Sequence, residues 1–327
     1  MKVVIADYKD VLERDLEYEK NILLNGLKDV DIVVYEYEGK QNKFLEVVKD
    51  ADAILTAFLD INKTVINGCK NLKCISINAV GYDCVDLEEA TKNNIGVCPI
   101  GEYCTQEVAE HTMSLILALS RGIKHYINDI DMKKIWKYHS INNIQRIDGQ
   151  TLAIFGFGKI GKAVAKMSLA FGMKVIAVDP YVKKEEAEKF GVNLVDAEYV
   201  WENADIISNH MNQNSNNNNF FTINEFRTMK KKPIFINVAR GSSVEQDDLL
   251  QAIDENLLRG VGLDVLDSEN PDLENCKLVG RENIIITPHA AFYSETSIKE
   301  LQRISCENIV YYLKGEMERV NRIVNKI

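Results

Sequence analysis

The stretch at residues 150–179, QTLAIFGFGKIGKAVAKMSLAFGMKVIAVD, limits the fold more than any other part of the chain. Four apolar residues at 152–155 suit a strand buried on both faces, and Gly156-x-Gly158-x-x-Gly161 follows at once. Helical spacing then takes over. Ile160, Val164, Met167 and Phe171 share one face, Gly172 stands where a helix C-terminus is expected, and 175–178 supplies a second strand. This is one βαβ unit. Gly156 makes the tight turn, Gly158 lets backbone approach a pyrophosphate, and Gly161 lets the helix pack on the strand; the N-terminus of that helix offers N–H groups to phosphate. Asp179 lies 18 residues past Gly161, where a carboxylate can accept hydrogen bonds from the adenosine ribose. It would repel a 2′-phosphate, so the expected cofactor is NAD rather than NADP. Lys183 and Lys184 could meet a phosphate, but a solvated helix start accounts for them.

A chain of 327 residues has room for two domains, each with a core. Its net charge of −10 argues against nucleic acid or an anionic membrane as a partner. The opening MKVVIADYKD begins with a strand pattern instead of a signal-peptide core, and no apolar run approaches the ~18 residues of a membrane span. A cytoplasmic protein is therefore expected. The seven cysteines are odd in number and form no CxxC pair, so they read as reduced, mostly buried residues, with no metal site.

Before the glycine turn, short apolar runs at 3–6, 32–35, 53–56, 74–77 and 96–98 alternate with amphipathic stretches, which predicts a small parallel α/β domain. The breaker cluster Pro99-Ile100-Gly101 is a candidate hinge. A long helix is expected over 105–121, with Thr105 as its N-cap. The polar segment 129–148 carries Trp136 and Tyr138 and reads as an arm for a second subunit or a surface excursion. Beyond Asp179, strands are expected at 206–208, 234–238, 261–265 and 284–287. The run NQNSNNNN at 212–219 reads as a solvated loop, with Asn217 or a neighbour capping the next helix. A last helix over 294–314 comes too late for the nucleotide fold and is expected to return to the first domain. The expected class is thus α/β with two domains: a doubly wound Rossmann NAD domain at 100–291, and a smaller flavodoxin-like parallel α/β domain for substrate at 1–99 plus 292–327.

Several motifs in order carry a further likeness. NAVGYDCVD at 78–86, VAEH at 108–111, VARG at 238–241, LDV at 263–265 leading to Glu269, and PHAA at 288–291 together resemble the D-isomer-specific 2-hydroxyacid dehydrogenases over nearly the whole chain. HAAFYSE and EYCTQEVAEH are most similar to the D-lactate dehydrogenase and C-terminal-binding-protein branches. Such chemistry needs a cation for the substrate carboxylate, a proton donor for the developing alkoxide, and a nicotinamide facing the carbonyl carbon. Arg240, at an expected strand end, offers a planar fork for the carboxylate. His289 is the expected acid and base, and Glu269 would hydrogen-bond it and favour its protonated form.

The resemblance implies further roles. Lys159 and Ile160 amides would meet the pyrophosphate, Val238 and Ala239 would lie near the nicotinamide, and Asp264 would bind its carboxamide. Met211 and Asn217 would contact the adenosine half, and the amides of Val80 and Gly81 would share the substrate carboxylate with Arg240. Tyr103 and Phe292, with Phe58, Leu59 and Tyr293, suggest an apolar substrate pocket. The family's pattern H-x-P-L-T is broken after His210, where Met211-Asn212-Gln213 has no proline.

The implied activity is NAD-dependent reduction of small apolar 2-oxo acids, pyruvate or longer, by a homodimer. Phosphoglycerate oxidation ranks lower, since neither TAFLD at 56–60 nor Asn78 supplies a cation for a phosphate. A nucleotide-sensing scaffold is the non-enzyme alternative, and the presence of Arg240, Glu269 and His289 together weighs against it.

Overall fold

The structure, a computed structural model, describes residues 1–214 and 217–326. Its contacts divide into two units, Met1–Tyr103 with Ser294–Ile327, and Cys104–Tyr293. The breaks lie a few residues past the 99 and 291 read from the sequence.

In the first unit, β1 (Lys2–Asp7), β2 (Asp31–Glu36), β3 (Ala53–Thr56), β4 (Cys74–Ile77) and β5 (Gly96–Cys98) form a parallel sheet ordered β2-β1-β3-β4-β5. This is the flavodoxin-like order. Alternate residues of one strand enter different cores: Val4 and Ala6 pack on one face, Val3 and Ile5 on the other. Burial on both faces is why these strands read as unbroken apolar runs. The helix Glu295–Lys314 returns here, capped by Ser294, and buries Cys306, Ile309, Val310 and Tyr312 in the second of those cores.

The second unit contains β6 (Thr151–Phe155), β7 (Lys174–Val178), β8 (Asn193–Leu194), β9 (Ile206–Asn209), β10 (Ile234–Asn237), β11 (Gly260–Leu263) and β12 (Ile284–Ile286). All pair in parallel, in the order β12-β11-β10-β9-β6-β7-β8. From β6 the chain winds outward to β7 and β8, then crosses to β9 and winds the other way, so the switch point lies between β6 and β9. Leu152 and Ile154 face one core and Ala153 and Phe155 the other. The helix Thr105–Ser120 covers the first of these with Val108, Met113, Leu115 and Ile116.

Two expected caps are corrected. Thr105 is already helical; Cys104 is the N-cap and makes no side-chain cap bond. Asn217 caps no helix. Its side chain is spent inside its own loop, accepting from Asn214 N at 2.8 Å and donating to Asn212 O, and the following helix Ile223–Thr228 is capped by Thr222 in a capping box with Glu225. Asn217 is also buried, so the asparagine run is not wholly solvated; its residues 215 and 216 lie outside the described residues. The polar segment 129–148 opens as a turn of π-helix, Asp129–Lys133, continuing the helix Ile123–Asn128, with Trp136 and Tyr138 exposed beyond it. Strand β8, two residues long, was too short to leave a pattern. Among the described residues no helix is long and apolar enough to cross a membrane.

Candidate active site

The glycine turn opens at the switch point, and each glycine answers to different surroundings. Gly156 has φ +88°, and a Cβ there would stand 2.7 Å from the carbonyl of His210 at the end of β9. Only glycine combines that backbone with that approach. A Cβ on Gly161 would run into the Gly156 carbonyl. Gly158, the N-cap of the helix Lys159–Ala170, has an ordinary φ of −77° and open space around its Cβ position. Nothing among the described residues requires glycine at 158, whereas a ligand drawn close to its backbone would. Asp179, just past β7, accepts from Phe157 N inside the turn at 2.8 Å and from Tyr181 N at 2.9 Å. These features fit a dinucleotide laid across the helix N-terminus.

His210 follows β9. Its Nε2 lies 2.9 Å from Ser208 Oγ, its Nδ1 is closed off from solvent without a partner among the described residues, and burial pushes the imidazole down to about 3. The ring is therefore neutral at physiological pH. Met211 packs partly buried beside the core, with its N–H donated to Asn209 Oδ1 at 3.1 Å.

The ends of the neighbouring strands β10, β11 and β12 carry the ionisable groups. Val238 and Ala239 are buried just past β10, and Arg240 follows, exposed. Its Nη1 donates to Ala239 O at 2.8 Å, and it forms no ion pair among the described residues. Gly241 sits so close to the Leu266 carbonyl that a side chain there would collide with it. The ladder continues past the strand ends, as Asp264 N donates to Asn237 O at 2.9 Å and His289 N to Asp264 O at 2.8 Å.

Asp264, 1 % exposed, uses both oxygens on the loop after β12. It accepts from Thr287 Oγ1 at 2.6 Å, Ala290 N at 2.9 Å and Ala291 N at 2.9 Å. His111, on the helix Thr105–Ser120, reaches Thr287 Oγ1 at 2.9 Å. That clamp holds His289 at φ +51°, a region a non-glycine residue occupies only when its surroundings impose it. The His289 ring lies with Nδ1 2.8 Å from Glu269 Oε2 and edge-on to Phe292, centroids 6.2 Å apart.

The resemblance assigned Asp264 to the carboxamide; the structure shows in addition that its carboxylate anchors the histidine loop. Sequence reasoning passed over Thr287, Asn209, Asn237 and Ser243. For Asn209 and Asn237 the signal was present as polar residues closing apolar strands, in IISNH and IFINV. In the first unit, Val80 and Gly81 lie exposed on the loop after β4, and Tyr103 is half-buried. Leu59, expected in a pocket, is fully buried in that unit's core. The seven cysteines are all free thiols. Among the described residues no group of three or more His, Cys, Asp or Glu side chains could hold a metal.

A glycine turn at the switch point with Arg240, Glu269 and His289 on neighbouring loops at the same edge is the architecture of a nicotinamide-dependent oxidoreductase. Residues 113–291 match the family described as D-isomer specific 2-hydroxyacid dehydrogenase, NAD binding domain. The glyoxylate reductase of Thermococcus litoralis is 32 % identical over 315 residues, covering 92 % of this chain and 94 % of that one. The D-3-phosphoglycerate dehydrogenase of Methanocaldococcus jannaschii is 33 % identical over 279 residues, 85 % of this chain but only 52 % of that longer protein. Among solved structures, the D-lactate dehydrogenase of Aquifex aeolicus, complexed with NAD and lactic acid, superposes with a TM-score of 0.83 at 26 % identity over 99 % of both chains. This chain belongs to the D-isomer-specific 2-hydroxyacid dehydrogenase family, and its cofactor is NAD.

Proposed function

We propose that the chain reduces small apolar 2-oxo acids, pyruvate or longer, to D-2-hydroxy acids. The observation that carries the reading is the His289–Glu269 pair, 2.8 Å apart on a loop clamped by Asp264. With Nδ1 committed to Glu269, the Nε2 atom of His289 is left to deliver a proton to the substrate oxygen. NADH, when bound, supplies the hydride. Arg240 pairs its fork with the substrate carboxylate, and the amides of Val80 and Gly81 share that charge. Phe292 and Tyr103 line the substrate's apolar end. Lys159 and Ile160 amides serve the pyrophosphate, Asp179 the ribose, Met211 and Asn217 the adenosine half, and Val238 and Ala239 the nicotinamide side. Relatives named glyoxylate reductase and hydroxypyruvate reductase support a small 2-oxo acid as substrate.

Absorbance of NADH followed with glyoxylate, hydroxypyruvate, pyruvate and longer 2-oxo acids tests the reading. Turnover of at least one, with the D-product, is expected; NADH binding without any turnover would sink it and favour the scaffold. The protein is further proposed to be cytoplasmic and a homodimer. Ile127, Met132, Trp136 and Tyr138 on one stretch of the second unit are 55, 76, 88 and 87 % exposed and suit a second copy of the chain. A mass of one chain by light scattering in active enzyme would exclude the dimer.

A further inference from the structure

Three buried polar side chains meet where β9 and β10 end. Asn209 is 0 %, Asn237 1 % and Ser243 5 % exposed. Polar groups cost free energy in such a place unless their hydrogen bonds are made. Here they are. Asn209 Nδ2 donates to Asn237 Oδ1 at 3.1 Å and to Ser243 Oγ at 2.7 Å, using both of its hydrogens. Backbone N–H groups of Met211 and Ala239 donate to Asn209 Oδ1 and Asn237 Oδ1, each at 3.1 Å, which fixes the orientation of both amides. The outputs converge on one atom. Asn237 Nδ2 donates to the Arg240 carbonyl at 3.0 Å, and Ser243 Oγ donates to the same oxygen at 2.7 Å.

We propose that Asn209 is a positioning residue that fixes Arg240 through Asn237 and Ser243. The inference rests on the reading that Arg240 holds the substrate carboxylate. Arg240 is exposed and forms no ion pair among the described residues; apart from the bond from its Nη1 to Ala239 O, its aim is set at the base of the side chain. The backbone is pinned on both sides, by two side-chain hydrogen bonds and one from Ser243 N at the Arg240 carbonyl and by Gly241 against the Leu266 carbonyl. An apolar residue at 209 would fill the space as well; what it would not supply is a defined geometry, the property a satisfied buried network adds. Asn209 also grips Met211 N, so one side chain ties the loop after β9 to the loop that carries the arginine.

The experiment compares a 2-oxo acid with its uncharged amide, pyruvate with pyruvamide, in the parent, Asn209→Leu, Ser243→Ala and Arg240→Met, with oxamate binding to the NADH-loaded proteins as a readout without turnover. In Asn209→Leu the preference for acid over amide should fall roughly tenfold, mostly through KM for pyruvate, and oxamate should bind roughly tenfold more weakly. Ser243→Ala, a small deletion, should shift both in the same direction by less, and it carries the test should Asn209→Leu fail to fold. Acid and amide declining together, or neither declining, would make Asn209 a structural residue only and overturn the inference. Arg240→Met separates the two ideas. If it loses the acid preference while Asn209→Leu and Ser243→Ala keep it, the inference alone falls; if Arg240→Met keeps the preference, the carboxylate reading falls with it.

Discussion

His289 Nδ1 lies 2.8 Å from Glu269 Oε2, although the two side chains are 38 and 67 % exposed. A pair so open to water adds little stability. Its geometry comes from elsewhere, from Asp264 and Thr287 holding the histidine loop in a left-handed backbone.

Replacing Glu269 with Gln keeps a hydrogen-bonding group of the same shape and removes the carboxylate that lies 2.8 Å from His289 Nδ1. An amide can present either its oxygen or its NH2 to that nitrogen, so the ring loses a fixed tautomer and orientation. The kcat for 2-oxo acid reduction should therefore fall by roughly tenfold or more in Glu269→Gln, with NADH affinity nearly unchanged. A kcat like the parent's would withdraw Glu269 from the triad.

His289→Ala should lower kcat by roughly 10² to 10⁴, the usual contribution of a general acid. NADH affinity, measured by fluorescence titration, should be nearly unchanged. Loss of cofactor binding in step with kcat would mean that the ring supports the site instead of serving the proton.

Two glycines three residues apart should respond in opposite ways. Gly161→Ala drives a methyl into the Gly156 carbonyl and should cost about 1–3 kcal/mol of stability. Gly158→Ala meets open space and an allowed φ, so its melting temperature should match the parent while NADH binds at least about tenfold more weakly. An NADH affinity like the parent's in Gly158→Ala would remove the pyrophosphate from that position.

The strands were legible because burial on both faces turns each into an unbroken apolar run: 53–56, 74–77 and 96–98 match β3, β4 and β5 end for end. The glycine turn and its acid were legible for the same reason, since close approach leaves a residue-type signature. Partnerships between polar residues were not. The resemblance implies a cofactor role for Asp264, but nothing in the sequence shows that three donors from 287–291 also bond to its carboxylate. Asn217 reads as a cap because asparagine caps helices, but its side chain finds donors and acceptors closer by, within its own loop.

Asp179 bears on cofactor choice. Its carboxylate is held at the turn by Phe157 and Tyr181 N–H groups, where, on the proposed reading, it would meet ribose hydroxyls and repel a 2′-phosphate. NADH should be strongly preferred to NADPH, and Asp179→Ala should narrow the ratio of the two kcat/KM values while weakening NADH itself. Equal kcat/KM for both cofactors in the unaltered protein would refute this.

His210 should make the protein sensitive to mild acid. Its ring is pushed down to about 3 by burial, whereas in the unfolded chain it titrates near 6.5. The folded-state value is the lower one, so below about 6.5 the unfolded chain takes up a proton that the folded chain refuses. The stability associated with the neutral ring is fully present above about 6.5 and is lost progressively as pH falls toward 3. At pH 5 the loss is about 2 kcal/mol. His210→Asn keeps a polar group beside Ser208 but cannot titrate. The decline in melting temperature between pH 7 and pH 5 should therefore be smaller in the variant, by about 4 °C or more, whatever the variant's own stability at pH 7. Every other titrating group is common to both proteins, so the difference between the two slopes reports His210 alone. Parallel slopes would show that the ring charges inside the folded protein, and its place as a permanently neutral group beneath the glycine turn would be lost.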